Sequence, residues 1–266
     1  MGDKKDIFYI FGTVALFGIM GLYLAFSQGG SLNSILTIPG RTKSFVTIVP
    51  TKSTEIEDVV IDTSQTPIDS TKDYFAKMET NLGIIEVDLY EQNAPNSVKN
   101  FIHLANSRYY DGTKFHRYIP NSLIQGGSRN TLNADPLDDK LGGPGYVIPD
   151  EINWDSLSLD DARKAQLTTL GYASNLNVQS IGMDKYMIAF ASSGPNTNGS
   201  QFFIVLGNKE DAVVKDFEGV HTVFGQVVLG KEVIDAMSLL PVNLDDLEDP
   251  RPSQDLIVNK ITIEVR

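Results

Sequence analysis

The sequence predicts a mainly-β domain, a closed antiparallel barrel capped by two helices, behind an N-terminal transmembrane helix. Three observations lead there. From Tyr74 onward, short runs of alternating apolar and polar residues recur between turn residues, the period-two mark of half-buried strands. Two helical segments, beginning at Ala94 and Lys231, accompany them without the strand-helix-strand rhythm of a parallel sheet. Antiparallel strands that close on themselves leave no exposed edge, hence a barrel. The third observation is residues 7–26, an uncharged apolar run.

Composition narrows the function. The chain of 266 residues has a formal net charge of -12 and no clustered Lys or Arg, which argues against a nucleic-acid surface. With no cysteine there is no disulfide framework, thiol nucleophile, Cys-ligated zinc or lipid-bearing cysteine.

Taken in order, the run at 7–26 is roughly 30 Å long as a helix, the thickness of a hydrocarbon core. It reads as a membrane anchor (domain 1–27). The alternative is a cleaved signal peptide, given Ala25-Phe26-Ser27, but the run exceeds the length of a signal core. Lys4 and Lys5 before it nearly balance Arg41 and Lys43 after it; a short tail inside and the acidic domain outside is preferred. Residues 28–73, rich in Ser, Thr, Gly, Pro and Asp, read as a linker spanning roughly 35–40 Å as a flexible coil. Two β-like runs within it, Phe45–Val49 and Val59–Ile61, leave open a strand added to the sheet edge.

The globular domain, 74–266, opens with a hairpin of Tyr74–Thr80 and Gly83–Leu89 around Asn81-Leu82. A helix follows from Ala94-Pro95, with Asn93 near its cap and Val98, Phe101, Ile102 and Ala105 on its buried stripe. Phe115 to Gln125 reads as two short strands broken at Pro120-Asn121. The run GGPG at 142–145 is not a phosphate loop, since no Lys-Ser or Lys-Thr follows; it is a tight turn. Residues 150–186 form an insertion with a helix over Leu159–Leu170, capped by Ser158 with Asp161 and stopped at Gly171. Met187–Ala191 and Gln201–Leu206 are strands, the second placing Phe202 and Phe203 on opposite faces, one for the core and one for a pocket. Asn198-Gly199-Ser200 matches a glycosylation acceptor, but its setting favours a structural role. Thr222–Val228 is a strand, Lys231–Leu240 a helix and Leu256–Val265 a closing strand.

Two stretches carry the chemistry. In FHRYIPNSLIQGG (115–127), Arg117 and Gln125 can share one face, a fixed cation and a neutral donor-acceptor beside apolar surface. Ser122 has no adjacent base, so the set suits holding and polarising an amide rather than nucleophilic attack. The second is FASSGPNTNGSQFFIV (190–205). Neither the spacing of His103, His116 and His221 nor any accompanying carboxylate pattern suits a metal, and no metal or cofactor is expected.

FHRYIPNSLIQGG, SSGPNTNGSQFFIVLG (192–207) and FEGVHTVFGQVV (217–228), in this order and at comparable spacing, resemble the cyclophilin family of peptidyl-prolyl cis-trans isomerases. The resemblance covers Tyr74 onward and implies an eight-stranded barrel acting on X-Pro bonds of polypeptide clients, without cofactor and as a monomer. It implies that Arg117 and Gln125 are catalytic: Arg117 donates toward the prolyl nitrogen or rotating carbonyl, while Gln125 and the backbone near Ala191 and Ser192 hold the peptide. The proline ring would lie on Leu123, Phe203 and His221, with Phe115, Ser122 and Phe217 completing the substrate-binding set. The chain departs from the family in having Ser122 where Phe is common, Ser192 in place of Asn, and Asp216 in place of Trp with Phe217 beside it. Lost ring area predicts reduced turnover. It keeps open a second reading, a membrane-tethered module that binds proline-containing segments without useful catalysis.

Overall fold

The structure, a computed structural model, describes residues 68, 69, 71–243 and 250–266. The expected anchor at 7–26 and the β-like runs at 45–49 and 59–61 lie outside these residues. Among the described residues no helix is long and apolar enough to cross a membrane.

The expected hairpin forms. Strand β1 (Tyr74–Thr80) pairs with β2 (Gly83–Leu89) from Tyr74↔Leu89 to Thr80↔Gly83, and the β1 side chains alternate between buried and half-exposed. Next come β3 (Arg117–Ile119), β4 (Leu123–Gly126), β5 (Met187–Phe190), β6 (Phe202–Val205), β7 (Val223–Leu229), the short pair β8 (Val242–Asn243) and β9 (Arg251–Pro252), and β10 (Val258–Val265). Four helices accompany them: α1 (Pro95–Asn106), α2 (Asp161–Thr169), α3 (Ala212–Lys215) and α4 (Lys231–Ser238). Helix α3 and two 3-10 turns, Arg129–Leu132 and Pro136–Leu141, are additions to the sequence expectation.

The closed barrel needs correction. The main sheet is antiparallel, eight-stranded and curled, in the order β10-β1-β2-β7-β5-β6-β4-β3, and among the described residues no ladder joins β10 to β3. The gap is bridged by irregular chain: Gly112 N donates to Val258 O (2.8 Å), Phe115 N to Leu256 O (2.9 Å) and Tyr118 N to Pro250 O (2.7 Å). Strand β3 ends after three residues at Pro120 and Asn121, the latter at φ 56°, and its free edge is met by Pro250, beside the short β8–β9 pair, rather than by β10. Alternation reports only that one face is buried; a curled sheet and a closed one satisfy it equally.

Inside the curl, Phe202 meets Phe101 edge-on at 5.7 Å, and Phe190 stacks on Phe224 at 4.5 Å. Helix α1 buries Val98, Phe101, Ile102 and Ala105 against this core, and α4 adds Ile234 and Met237. The N-terminus of α1 has Pro95 in its first turn but no side-chain cap from Ala94. Its orphan N–H groups instead meet Glu151, only 3% exposed, whose oxygens accept from Asn96 N (3.0 Å) and Ser97 N (2.8 Å). Asn93 does not cap; its side chain donates to the Gln179 carbonyl. In the insertion the cap is Asp160, accepting from Arg163 N at 2.7 Å, rather than Ser158 with Asp161, because Ser158 sits at φ 56° before the helix. Gly171 ends α2 as expected, with Tyr172 N reaching Leu167 O (3.0 Å) and Gly171 N reaching Thr168 O (3.0 Å).

Candidate active site

The register brings the two predicted polar residues directly opposite one another: Arg117 pairs with Gln125, Gln125 with Phe203, and Phe203 with Ala189. Opposed residues of an antiparallel sheet point to the same face, so these four form one row across β3, β4, β6 and β5. Arg117 Nη1 donates to Gln125 Oε1 at 3.4 Å, and Gln125 Nε2 donates to Gln201 Oε1 at 2.9 Å. Gln201 Nε2 in turn donates to the carbonyls of Lys140 (3.0 Å) and Gly142 (2.8 Å). This fixes the Gln125 amide with its oxygen toward the cation. The expected tight turn at 142–145 is instead extended chain with a bend at Gly145; it is thereby tied to the site, and glycine is required at 142, since a Cβ there would stand 2.1 Å from Ser128 Oγ.

The apolar wall comes from the other end of the row. The Phe203 ring is 5.2 Å from His221 and 5.5 Å from Phe217, and the latter two are 5.9 Å apart. Leu123 belongs to the same cluster as Phe203, separate from the main core that holds Phe202, so the two phenylalanines divide as the alternation predicts. Ser192 Oγ lies 3.3 Å from His221 Nδ1, and Ala191 N donates to Gln201 O at 2.9 Å. Burial pushes the His221 imidazole down to about 4; its hydrogen bond to the Phe190 backbone opposes this, and the Arg117 charge adds to it. At neutral pH His221 is a neutral wall.

One expected contact is placed elsewhere. Phe115 lies in the main core, its ring edge-on to Phe202 at 6.0 Å, because the chain is irregular at 115–116 and the alternation of β3 does not extend back to it. Ser122 is 1% exposed in the turn between β3 and β4, with no hydrogen-bond partner for its hydroxyl among the described residues. Asn198 is fully buried and donates to Asp150 Oδ1 at 2.7 Å, which gives the sequon its structural role. Sequence reasoning missed Gln201, although it shares the parity of Phe203 and is the polar member of an apolar run.

This row sets a fixed cation and an oriented amide beside a dry aromatic wall, a place to hold a peptide group and act on its charge. Comparison with known proteins gives the family. Residues 75–263 match the family model described as cyclophilin type peptidyl-prolyl cis-trans isomerase/CLD. The chain is 32% identical over 209 residues to peptidyl-prolyl cis-trans isomerase B of Streptomyces anulatus, covering 72% of this chain and 97% of that one. It is 34% identical over 197 residues to human peptidyl-prolyl cis-trans isomerase-like 1, covering 73% and 95%. A crystal structure of a cyclophilin-type isomerase from Cryptosporidium parvum superposes with a TM-score of 0.53 at 26% identity, over 72% of this chain and 98% of the other. The chain belongs to the cyclophilin-type peptidyl-prolyl cis-trans isomerases, and it is an isomerase of that class.

Proposed function

We propose that the protein rotates X-Pro bonds of extracytoplasmic polypeptide clients without a covalent intermediate, using Arg117 to stabilise the twisted amide. The uncatalysed barrier is about 18–20 kcal/mol because amide resonance holds the bond planar. Twisting breaks that resonance and leaves the prolyl nitrogen basic, so a fixed cation beside it stabilises the transition state more than the planar ground state. The observation that carries this reading is the row Arg117, Gln125, Phe203, with the guanidinium bonded to the oriented Gln125 amide. Leu123, Phe203, Phe217 and His221 take the proline ring, and the backbone at Ala191 and Ser192 holds the flanking chain. The Cryptosporidium parvum isomerase, also solved in the presence of the dipeptide Ala-Pro, supports a proline-containing ligand here. Arg117→Ala is expected to slow exchange of an X-Pro peptide by roughly 10²–10³-fold, as loss of a preorganised donor does elsewhere. An unchanged rate would remove Arg117 from the mechanism.

The apolar run at 7–26 supports membrane tethering of this domain, with the acidic domain outside. A second reading, a tethered proline-peptide-binding module of weak catalysis, rests on Ser122, which gives no ring to the pocket. Peptide binding by the unaltered chain without acceleration of exchange would favour it.

A further inference from the structure

Residues 216–219 lie between α3 and His221 and carry Phe217 at their centre. Besides its own turn bonds, this segment is gripped by the insertion. Arg163 Nη2, on α2, donates to Asp216 O (2.8 Å) and Glu218 O (3.2 Å), the carbonyls on either side of Phe217. Its Nη1 donates to Gln166 Oε1 (3.1 Å), which anchors the guanidinium on its own helix. Glu218 Oε2 accepts from Met183 N at 2.9 Å, and Trp154 Nε1 donates to Gly219 O at 3.2 Å. Gly219, at φ +80°, is pressed so closely that a Cβ would stand 2.6 Å from Leu159 Cδ1 and 2.8 Å from Leu167 Cδ1. The carbonyls of Asp216, Glu218 and Gly219 are thus tied to residues 154–183, while the Phe217 ring faces Phe203 and His221.

We propose that Arg163 is a positioning residue for the pocket: by holding the carbonyls on both sides of Phe217, it sets that ring against Phe203 and His221. The insertion then decides how tightly the pocket takes the proline ring. This rests on the reading of Phe203, Phe217 and His221 as the proline wall. A guanidinium suits the task because it stays charged and presents several donors in a rigid plane. The wall contacts the ring in the planar and the twisted states alike, so loosening it weakens binding without selectively raising the barrier.

The test compares the full chain with Arg163→Ala and Arg163→Lys. For Arg163→Ala, KM for an X-Pro peptide should rise about tenfold, the loss of one or two charge-assisted hydrogen bonds. Its kcat should stay within about twofold. The ammonium of Arg163→Lys can still reach a carbonyl and should restore part of the loss. Independently of turnover, the ring NMR signals of Phe217 and His221 should shift in Arg163→Ala and move back in Arg163→Lys, while thermal unfolding changes little. Unchanged ring signals with unchanged KM would overturn the proposal, as would a loss tracking only the folded fraction. If the unaltered chain accelerates no exchange, the catalytic reading fails and the ring signals alone decide the role of Arg163.

Discussion

Arg117 and His221 show how differently two cationic residue types behave in one site. Arg117 keeps its charge at any working pH, whereas His221 gives its charge up: burial holds its folded value near 4, below the ordinary 6.5. A depressed folded value means the unfolded chain binds the proton first. The associated stability is present above about pH 6.5 and is lost as pH falls toward about 4. Isomerase activity is therefore expected to be flat from about pH 6.5 to 8. Equilibrium unfolding should show a stability decline between pH 6.5 and 4 that is smaller in His221→Gln; an equal slope in both would remove His221 as its source. Arg117, Gln125 and the split between Phe202 and Phe203 were legible in the sequence, because a strand of period two fixes the face of each side chain. Phe115 was not: the resemblance put it in the substrate-binding set, whereas its ring packs into the main core beside Phe202.

At the scale of elements, the insertion at 150–186 supports two other parts of the domain. Its first residues supply Glu151 to the N-terminus of α1, and its helix reaches the pocket wall. Neither bond is legible in the sequence, since a partner more than fifty positions away leaves no local spacing to read. Glu151→Ala would strand two helix N–H groups, that of Ser97 in a buried place. We expect it to lower the unfolding free energy by about 2–4 kcal/mol, seen as a reduced denaturant midpoint at unchanged slope. Glu151→Gln, which keeps one acceptor oxygen, should lose less. An alanine variant as stable as the parent would show that α1 needs no partner there.

For the whole molecule, the strand positions and the two main helices follow from hydrophobic period and turn chemistry, whereas strand order and closure do not. Whether the edges of an eight-stranded sheet meet depends on curvature and on the length of β3, and only the first residues past Ile119 hint at that length. The proposed tether belongs to this scale too. With 7–26 as an anchor, the chain should stay with the bilayer through alkaline carbonate extraction, and removal of residues 1–27 should release an active domain. Full-length protein recovered in the soluble fraction would sink the anchor reading.

The locked side chain of Asn198 has a consequence for any host that attaches sugars during secretion. Its nitrogen is already committed to Asp150, deep in the folded domain, so an oligosaccharyltransferase could reach it only before the domain closes. A glycan at that position would then keep the domain from closing. The fraction of secreted chains carrying one thus becomes a clock, recording how often modification outran folding.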